Sequence, residues 1–288
     1  MIGETVYLNG RYLPIGEAKI SPMDRGFLFG DGVYEVIPVY SKRAFRIDEH
    51  LTRLQQSLAG IQLANPHTLD EWRTIVARLI DAAPWEDQGV YLQVTRGADI
   101  KRDHPFPNPA VAPTVFAMTA PLVTPPAAVR ERGVAAICAE DNRWLRCNLK
   151  TTSLLANVLL RQQAVDADCA ETILLRDGLL TEGSTTNVLI VKDGQLIAPP
   201  KSHLILPGVT YDVMLELATQ HALPHAIRPI SAAELRAADE VWITSSTKEV
   251  LAVTSLDGAP VGSGIPGPIS RKMWQWYQDF KNTTMRHG

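Results

Sequence analysis

The sequence predicts a protein of mixed α and β structure that is divided into two domains. Three observations lead to this fold class. Strand-like runs joined by Asn-Gly or Asp-Gly turns indicate β-hairpins. Longer runs with apolar residues at helical spacing indicate amphipathic helices between the strands. A proline-rich stretch with Pro121, Pro125 and Pro126 separates two parts of the chain that each contain both kinds of element.

The length of the chain agrees with two domains. Its 288 residues would supply two units of roughly 150 residues, each able to bury a core. The composition, 45% hydrophobic and 20% charged, is that of an ordinary globular protein. We expect the first domain over residues 1–120, an interdomain linker over 121–132 and the second domain over 133–288.

The elements of the first domain can be assigned in chain order. A hairpin turns at Asn9-Gly10, and two further strands meet at a turn over Ser41–Arg43. Two helices follow, the first with Asp48 as its predicted cap, and two apolar strands complete the domain. The runs are VYLNGRYLP, GVYEVIPVYSKRAFRI, DEHLTRLQQSLAGIQL, LDEWRTIVARLIDAA, GVYLQVTRG and PTVFAMTAPL.

The second domain begins with a strand and a helix. Start signals over Thr151–Ser153 and apolar residues at helical spacing predict that this helix is buried. Hairpins then turn at Asp177-Gly178 and Asp193-Gly194, and a third comes late in the chain. The runs are GVAAICAE, TTSLLANVLLRQQA, ETILLRDGLLTEG, TTNVLIVKDGQLIAPP, TYDVMLELATQHA, SAAELRAA, EVWITSSTKEVLAVTSLDG and PISRKMWQWYQDFKNTT.

Charge and cysteine usage exclude several classes of protein. The net charge is −3, without the clustered basic excess of a nucleic-acid-binding protein. No apolar run approaches the ~18 residues of a membrane span, and the start has no signal-peptide pattern. Cys138, Cys147 and Cys169 lack the close spacing of a zinc site or a disulfide framework. We therefore expect a cytoplasmic protein with reduced thiols and no bound metal, nucleic acid or membrane.

One lysine, Lys150, stands directly before the predicted buried helix in RCNLKTTSLLANVLLRQQA. Lysine is rarely buried without a reason. Its side chain could extend along the surface and leave the ammonium in water. Alternatively, the amine could be kept from water because its nucleophilicity is needed. Position alone leaves both interpretations open.

Three other segments carry candidate chemistry. Glu182 in TEGSTTN is either a solvated turn residue or a carboxylate paired with a buried cation beside hydroxyls that could hold an anion. LPGVT at residues 206–210 opens a helix with a glycine and a threonine. TSSTKE at residues 244–249 is a turn rich in hydroxyl residues that follows a strand. Free backbone N–H groups in such segments bind phosphate, although each segment could equally be a simple cap or turn.

A basic loop, TRGADIKRDHPFP, connects two predicted strands. Arginine binds carboxylates with two parallel hydrogen bonds, so the loop could hold a carboxylate, and a solvated loop is the alternative. Its basic residues are Arg96, Lys101, Arg102 and His104. By contrast, GSGIPG resembles a dinucleotide-binding motif only superficially, because Pro266 interrupts it and no βαβ unit surrounds it. We interpret GSGIPG as a loop.

The amino-acid sequences of five segments, together with their order along the chain, are more specific than any single motif. They are DRGFLFGDGVYEVIPVY, RWLRCNLKTTSLLANVLL, ETILLRDGLLTEGSTTNVLIVKDG, LPGVTYDVM and VWITSSTKEV. Together they closely resemble the fold-type IV aminotransferases, which depend on pyridoxal phosphate, over nearly the whole chain. The resemblance implies a small N-terminal α/β domain and a larger C-terminal cofactor-binding domain with a barrel-like sheet. It also implies pyridoxal 5′-phosphate as the cofactor and a homodimer.

The resemblance assigns roles to individual residues. Lys150 matches the lysine that forms a Schiff base with the cofactor, and Glu182 matches the carboxylate that faces the pyridine nitrogen. Tyr34 matches an active-site tyrosine whose hydroxyl lies near the cofactor. The other implied cofactor contacts are Arg53, Val209 and Thr210 at the phosphate, Leu206 under the ring, and Ser246 with its neighbour Thr247 as the second hydroxyl contact.

Within this family the chain is most similar to the D-amino acid aminotransferases, through the basic loop and Trp144. There Arg102 and His104, with Tyr34, would hold the substrate α-carboxylate; the loop has one residue more between Arg-Gly and Arg than the family pattern. We expect ping-pong transamination of D-amino acids such as D-alanine and D-glutamate with a 2-oxo acid, through the pyridoxamine form. A branched-chain L-aminotransferase, an aminodeoxychorismate lyase and a non-catalytic protein with this fold are the alternatives.

Overall fold

The computed structural model describes residues 2–287, which form two compact units. One unit contains the chain up to Val123, the short segment Leu149–Leu154 and the residues from Thr283 onward. The other contains Thr124–Asn148 and Leu155–Asn282. The predicted class of mixed α and β structure is confirmed, and the predicted linker region contains a short helix, α4, over Ala127–Arg132.

The first unit is built on a six-stranded sheet in which every neighbouring pair is antiparallel. The strand order is β2-β1-β6-β5-β3-β4. The hairpin predicted at Asn9-Gly10 is confirmed, with both residues at positive φ, 47° and 86°. The strands are β1 Thr5–Leu8, β2 Arg11–Pro14, β3 Gly32–Tyr40, β4 Arg43–Ala44, β5 Gln88–Thr95 and β6 Thr114–Pro121.

The helices of this unit are α1 Arg25–Phe29, α2 Ile47–Gly60 and α3 Leu69–Ala82, after a 3₁₀ turn over Ile15–Glu17. The apolar faces of α2 and α3 pack with the sheet in one core that includes Leu54, Trp72 and Ile37. The prediction that Asp48 caps α2 is wrong. The helix begins one residue earlier, after Arg46 in the left-handed conformation, and Asp48 lies in its first turn and pairs with Arg73.

The second unit contains a nine-stranded mixed sheet that curls into a half-barrel. Its main path runs β12-β11-β10-β13-β14-β7-β8-β9, and β15 pairs with β14. The hairpins predicted around Asp177-Gly178 and Asp193-Gly194 are present. The strands are β7 Val134–Glu140, β8 Glu171–Arg176, β9 Leu179–Gly183, β10 Asn187–Lys192, β11 Gln195–Ala198, β12 His225–Ile227, β13 Glu240–Ser245, β14 Glu249–Leu256 and β15 Ala259–Pro260.

The remaining helices are α5 Leu155–Asp166, α6 Val209–Gln220, α7 Ala232–Arg236 and α8 Pro268–Phe280, followed by a π-helical turn over Lys281–Met285. The predicted GSGIPG loop lies between β15 and α8 and is not part of a helix or strand. None of the helices formed by residues 2–287 combines the length and the apolar character that a membrane crossing requires.

The prediction for the helix after Lys150 is partly wrong. The helix, α5, begins only at Leu155, because Thr152 and Ser153 donate their hydroxyls to the Gly30 carbonyl instead of capping a helix. It is also not buried within this chain. Leu160 and Ala164 are enclosed, but a face formed by Leu155, Val158 and Leu159 is exposed at 72%, 59% and 57%.

Candidate active site

Lys150 lies in a short extended segment of the first unit, beside the start of β3. Thr151 forms an isolated β-bridge with Val33, and the backbone N–H of Tyr34 donates to the Lys150 carbonyl at 2.9 Å. On the other side, the Lys150 N–H donates to the Ser57 hydroxyl on α2 at 3.1 Å. The backbone of Lys150 is thus fixed by a strand and a helix, while its side chain is half-buried.

The Lys150 ammonium contacts an aromatic ring. Its Nζ lies 4.2 Å from the centre of the Tyr34 ring, a cation–π contact, and the Tyr34 ring stacks on Tyr91 with centres 5.6 Å apart. Burial raises the pKa of Tyr91 to about 12, so its hydroxyl stays neutral. Within residues 2–287, no carboxylate or carbonyl pairs with the Lys150 ammonium. The amine is therefore not used in an internal ion pair.

Arg53 on α2 is held by a buried carboxylate. Its guanidinium donates through Nε and Nη2 to the two oxygens of Glu35 at 2.7 and 2.8 Å, and His50 Nδ1 lies 2.9 Å from the same carboxylate. Although burial alone would raise the pKa of Glu35, Arg53 and His50 lower it to about 2. Burial lowers the pKa of His50 below its ordinary value, since it outweighs the effect of Glu35.

Glu182, at the end of β9, is 4% exposed and pairs with a buried cation, so the interpretation as a solvated turn residue is wrong. Arg143 Nη1 donates to its Oε1 at 2.6 Å. Asn187 Nδ2 and the Leu206 N–H donate to its Oε2 at 3.2 and 3.0 Å. Burial raises the pKa of Glu182 to about 7, against the opposing effect of Arg143.

Arg143 connects Glu182 to a second carboxylate. Its Nε and Nη2 donate to the two oxygens of Asp141, each at 2.9 Å, and Thr181 donates its hydroxyl to Asp141 as well. Burial opposes ionisation of Asp141, but Arg143 holds the pKa of that carboxyl below its ordinary value. The two buried carboxylates share one guanidinium, which fixes the Glu182 side chain in one orientation.

The predicted phosphate contacts lie at a helix start and at a turn of the second unit. Val209 and Thr210 form the first turn of α6, whose cap residue Gly208 provides no side-chain cap. A side chain at Gly208 would collide with the Asn187 amide, so glycine allows the helix start to approach the Glu182 network closely. Leu206 is half-buried, and its carbonyl accepts from Asn187 Nδ2 at 3.0 Å.

The turn after β13 carries the predicted hydroxyl contacts. Ser246 is half-buried and Thr247 is exposed. The Ser245 hydroxyl, which was not predicted, organises this turn: it lies 3.3 Å from the Thr247 hydroxyl and accepts from the Lys248 N–H at 3.1 Å.

The basic loop divides into a buried part and an exposed part. Arg96 is 6% exposed and bonds both oxygens of Asp31, so it is not available for a substrate. Arg102 and His104 are exposed, and their side chains contact the Phe29 ring rather than Tyr34 in the part of the chain that is described. Trp144 is half-exposed at 48%.

Residues of each unit, taken separately, suit pyridoxal phosphate by their chemistry. Two buried side-chain atoms, His50 Nε2 beside Arg53 and Thr244 Oγ1 before the turn at Ser246, have no hydrogen-bond partner in the described part of the chain. The uncapped start of α6 offers backbone N–H donors to a phosphate. A buried carboxylate such as Glu182 suits the protonated nitrogen of a pyridine ring, and the unpaired Lys150 amine suits an aldehyde.

Comparison with known proteins shows the family of the chain. The sequence pattern of the family described as amino-transferase class IV matches residues 32–256. The chain belongs to this family, and the predictions of an aminotransferase, of its fold and of pyridoxal phosphate as the cofactor are confirmed.

Individual relatives within the family are similar to this chain over nearly its whole length. D-alanine aminotransferase from Bacillus licheniformis is 41% identical over 268 residues, covering 93% of this chain and 94% of the relative. The enzyme of the same name from Staphylococcus epidermidis is 38% identical over 275 residues, covering 96% and 97%. Among solved structures, the branched-chain amino acid aminotransferase of Escherichia coli superposes with a TM-score of 0.88 at 25% identity, covering 95% of this chain and 93% of that one.

Sequence reasoning missed Glu35 and Arg143. For Glu35 a signal existed, because alternation along β3 places it on the same face as the core residues Val33 and Ile37. A carboxylate on a buried face requires a partner, and Arg53 was the nearest candidate on the next helix. For Arg143 the chain offered no local signal, since its partner Glu182 is 39 positions away.

Proposed function

We propose that this protein catalyses the pyridoxal-phosphate-dependent transamination of D-amino acids with a 2-oxo acid. The observation that carries the proposal is the Lys150 amine, which is fixed at its backbone, contacts Tyr34 and lacks an ion-pair partner within the described residues. A lysine that only stabilised the fold would be expected to pair with an acid or reach solvent freely. Membership in the class IV family supplies the matching chemistry.

Each residue then has a defined task. The cofactor, when bound, accepts the electron pair that remains after the substrate Cα loses its proton. Lys150 would hold the cofactor through its aldehyde group, and its Nζ would move the proton from the substrate Cα. Glu182 would keep a proton on the pyridine nitrogen, and Arg143 orients Glu182. Arg53, oriented by Glu35, would bind the phosphate.

The remaining cofactor contacts complete this assignment. Val209 and Thr210 would donate to the phosphate from the start of α6, and Ser246 and Thr247 would add hydroxyl contacts. Leu206 would contact the pyridine ring. Together these residues would retain the cofactor independently of Lys150.

The preference for D-amino acids rests on Arg102 and His104, with Tyr34 and Trp144 as further substrate contacts. The Arg102 guanidinium is exposed and makes no hydrogen bond within the described residues, so it can receive a carboxylate. A carboxylate held in one place allows only one Cα–H direction toward the base. The D-alanine aminotransferases at 41% and 38% identity support this preference.

We also propose that the protein is a cytoplasmic homodimer. The exposed apolar face of α5, Leu155, Val158 and Leu159, has the helical spacing of a surface that packs against a partner, and we assign it to the second copy of the chain. The three cysteines are free thiols, which fits a reducing compartment.

The proposal is tested by mixing the purified holoenzyme with D-alanine and, separately, with L-leucine, and following the spectrum of the bound cofactor without a 2-oxo acid. We expect D-alanine to convert the cofactor fully to its amino form and L-leucine to leave it unchanged. Conversion by L-leucine alone would identify a branched-chain L-aminotransferase instead. A protein that binds no cofactor would identify a non-catalytic relative.

A further inference from the structure

Arg25, in the short helix α1, binds the backbone of the loop that carries Arg102 and His104. It is 4% exposed, and its guanidinium donates to three consecutive carbonyls of that loop. Nη1 donates to Asp103 at 2.6 Å and to Pro105 at 3.3 Å, and Nη2 donates to His104 at 3.0 Å. The loop backbone is therefore fixed at the position of the proposed carboxylate-binding side chains.

Asp31 couples this arginine to a second one. Its Oδ2 accepts from Arg25 Nε and from Arg96 Nε, each at 2.8 Å. Arg96 also donates to the carbonyls of Ile61 and Gln62, and its guanidinium lies 3.8 Å from the centre of the Phe106 ring. Although burial opposes it, the two arginines hold the pKa of Asp31 below its ordinary value, so the carboxylate stays charged.

Phe29 lies one helical turn after Arg25 and contacts the exposed side chains of the loop. The Arg102 guanidinium lies 5.0 Å from the centre of its ring, and the His104 ring lies 5.4 Å away. The Arg25 guanidinium lies 4.8 Å from the same ring. Phe29 thus limits the orientations of both side chains on the loop whose backbone Arg25 holds.

A buried arginine is costly to retain unless its charge and donors are satisfied. Here the hydrogen bonds that the guanidinium makes besides the ion pair with Asp31 go to the loop backbone. A loop that served only as a connection would need no such contact, since loop carbonyls are usually satisfied by water. The arrangement is that of a support that keeps an exposed loop in one conformation.

We propose that Arg25 and Phe29 are positioning residues for the substrate α-carboxylate, acting through Arg102 and His104. The inference rests on the proposed function. Arg25 sets the height and direction of the loop, and Phe29 sets the rotamers of the two side chains. Loss of either contact misdirects the carboxylate without removing a group that touches it, which lowers the rate with substrates that have this group.

The test compares the Arg25→Lys holoenzyme with the wild-type holoenzyme, each as isolated. Lysine keeps the charge but cannot reach three carbonyls and Asp31 at once. The second-order rate constant for conversion of the cofactor is measured with D-alanine and with D-alaninamide, which lacks the anionic carboxylate. We expect a decrease of about tenfold with D-alanine and less than about twofold with D-alaninamide. Arg286→Lys is the matched control, because Arg286 pairs with Asp87 away from this loop.

A double-mutant cycle with Arg102→Met separates the proposed role of Arg25 from the proposed role of Arg102. If Arg25 acts through Arg102, the double variant has nearly the same rate constant as Arg102→Met alone. If Arg25→Lys lowered the rate constants for both substrates equally, or if the effects added in the double variant, the inference would be overturned. The effect of Arg102→Met would still show whether Arg102 contacts the carboxylate. An unchanged rate constant in Arg102→Met would overturn the proposed role of Arg102 and this inference together. Should Arg25→Lys fail to fold, Phe29→Leu enters the same cycle with the same expectations.

Discussion

Two buried arginines, Arg53 and Arg143, each hold the carboxylate of a glutamate. The Glu35 carboxylate gives Arg53 a fixed position, and the Arg143 guanidinium does the same for Glu182. In both pairs one member is proposed to contact the cofactor and the other orients it. Burial makes such pairs rigid, because a side chain that rotated away would leave an unpaired charge behind.

Removal of the proposed base gives the first prediction. Lys150→Ala is expected to lower the rate of transamination by at least about 100-fold, because it removes the amine that contacts the Tyr34 ring. Since the Lys150 side chain makes no ion pair among residues 2–287, the thermal unfolding temperature should change little. Lys192→Ala, which removes a surface lysine paired with Asp239, is the control and should keep full activity. Undiminished activity in Lys150→Ala would refute the assignment.

Arg143→Met gives the second prediction. The variant leaves Glu182 buried without its arginine and leaves Asp141 with Arg176 as its remaining counter-charge, so we expect the free energy of unfolding to fall by about 3–5 kcal/mol. Urea unfolding measures this change. Arg228→Met, which breaks a surface pair with Glu234, should cost less than about 1 kcal/mol. Similar losses in the two variants would show that the buried network has no special importance for stability.

Among the elements, β3 positions site groups on both of its faces. Its alternation directs Glu35 toward α2 and Tyr34 toward the opposite face, where Tyr91 and Lys150 lie. Hairpins and amphipathic helices were predictable from sequence because turn residues and apolar spacing act locally. The pairing of Thr151 with Val33 was not, since it depends on residues 118 positions apart in the sequence that meet only in the folded chain.

The acid dependence of the contact between β3 and α2 gives the third prediction. Because the pKa of Glu35 is lowered to about 2, its carboxylate stabilises the fold at neutral pH, and this stabilisation is lost as the pH falls below about 4.5. We expect Glu35→Gln to lower the free energy of unfolding by roughly 3–5 kcal/mol at pH 7, because Arg53 loses its partner.

Urea unfolding of both proteins at a series of pH values measures the Glu35 contribution. The difference in unfolding free energy between wild type and Glu35→Gln should narrow as the pH falls from about 5 to about 3. In this range Glu35 binds a proton in the unfolded chain but binds protons more weakly in the folded protein, which favours unfolding of the wild type. A difference that stayed constant over this range would show that the pKa of Glu35 is the same in the folded and the unfolded protein, and would contradict the lowered pKa.

For the whole molecule, sequence reasoning predicted the class, the two-part organisation and the family, because five separated motifs are retained in order. It predicted that α5 is buried, whereas the chain by itself leaves Leu155, Val158 and Leu159 exposed. Of the residues at this apolar spacing, Ala164 is enclosed within the chain. Spacing alone does not distinguish an internal core from a contact with a second copy.

The proposed dimer gives the fourth prediction. Leu159→Glu places a charge in the exposed apolar face of α5, and we expect it to convert the dimer to monomer, because a buried unpaired carboxylate is costly at an interface. Sedimentation velocity measures the change. Leu69→Glu, at an exposed apolar position at the start of α3, is the matched control and should remain dimeric. A wild-type protein that sediments as a monomer would contradict the proposed assembly.

Consumption of a racemic substrate shows whether this aminotransferase acts on D-amino acids. The holoenzyme is incubated with racemic alanine and an excess of 2-oxoglutarate, and both amino acids are resolved on a chiral column. We predict that D-alanine disappears, L-alanine remains, and pyruvate and D-glutamate form in equal amounts. Consumption of L-alanine, with formation of L-glutamate, would contradict the account.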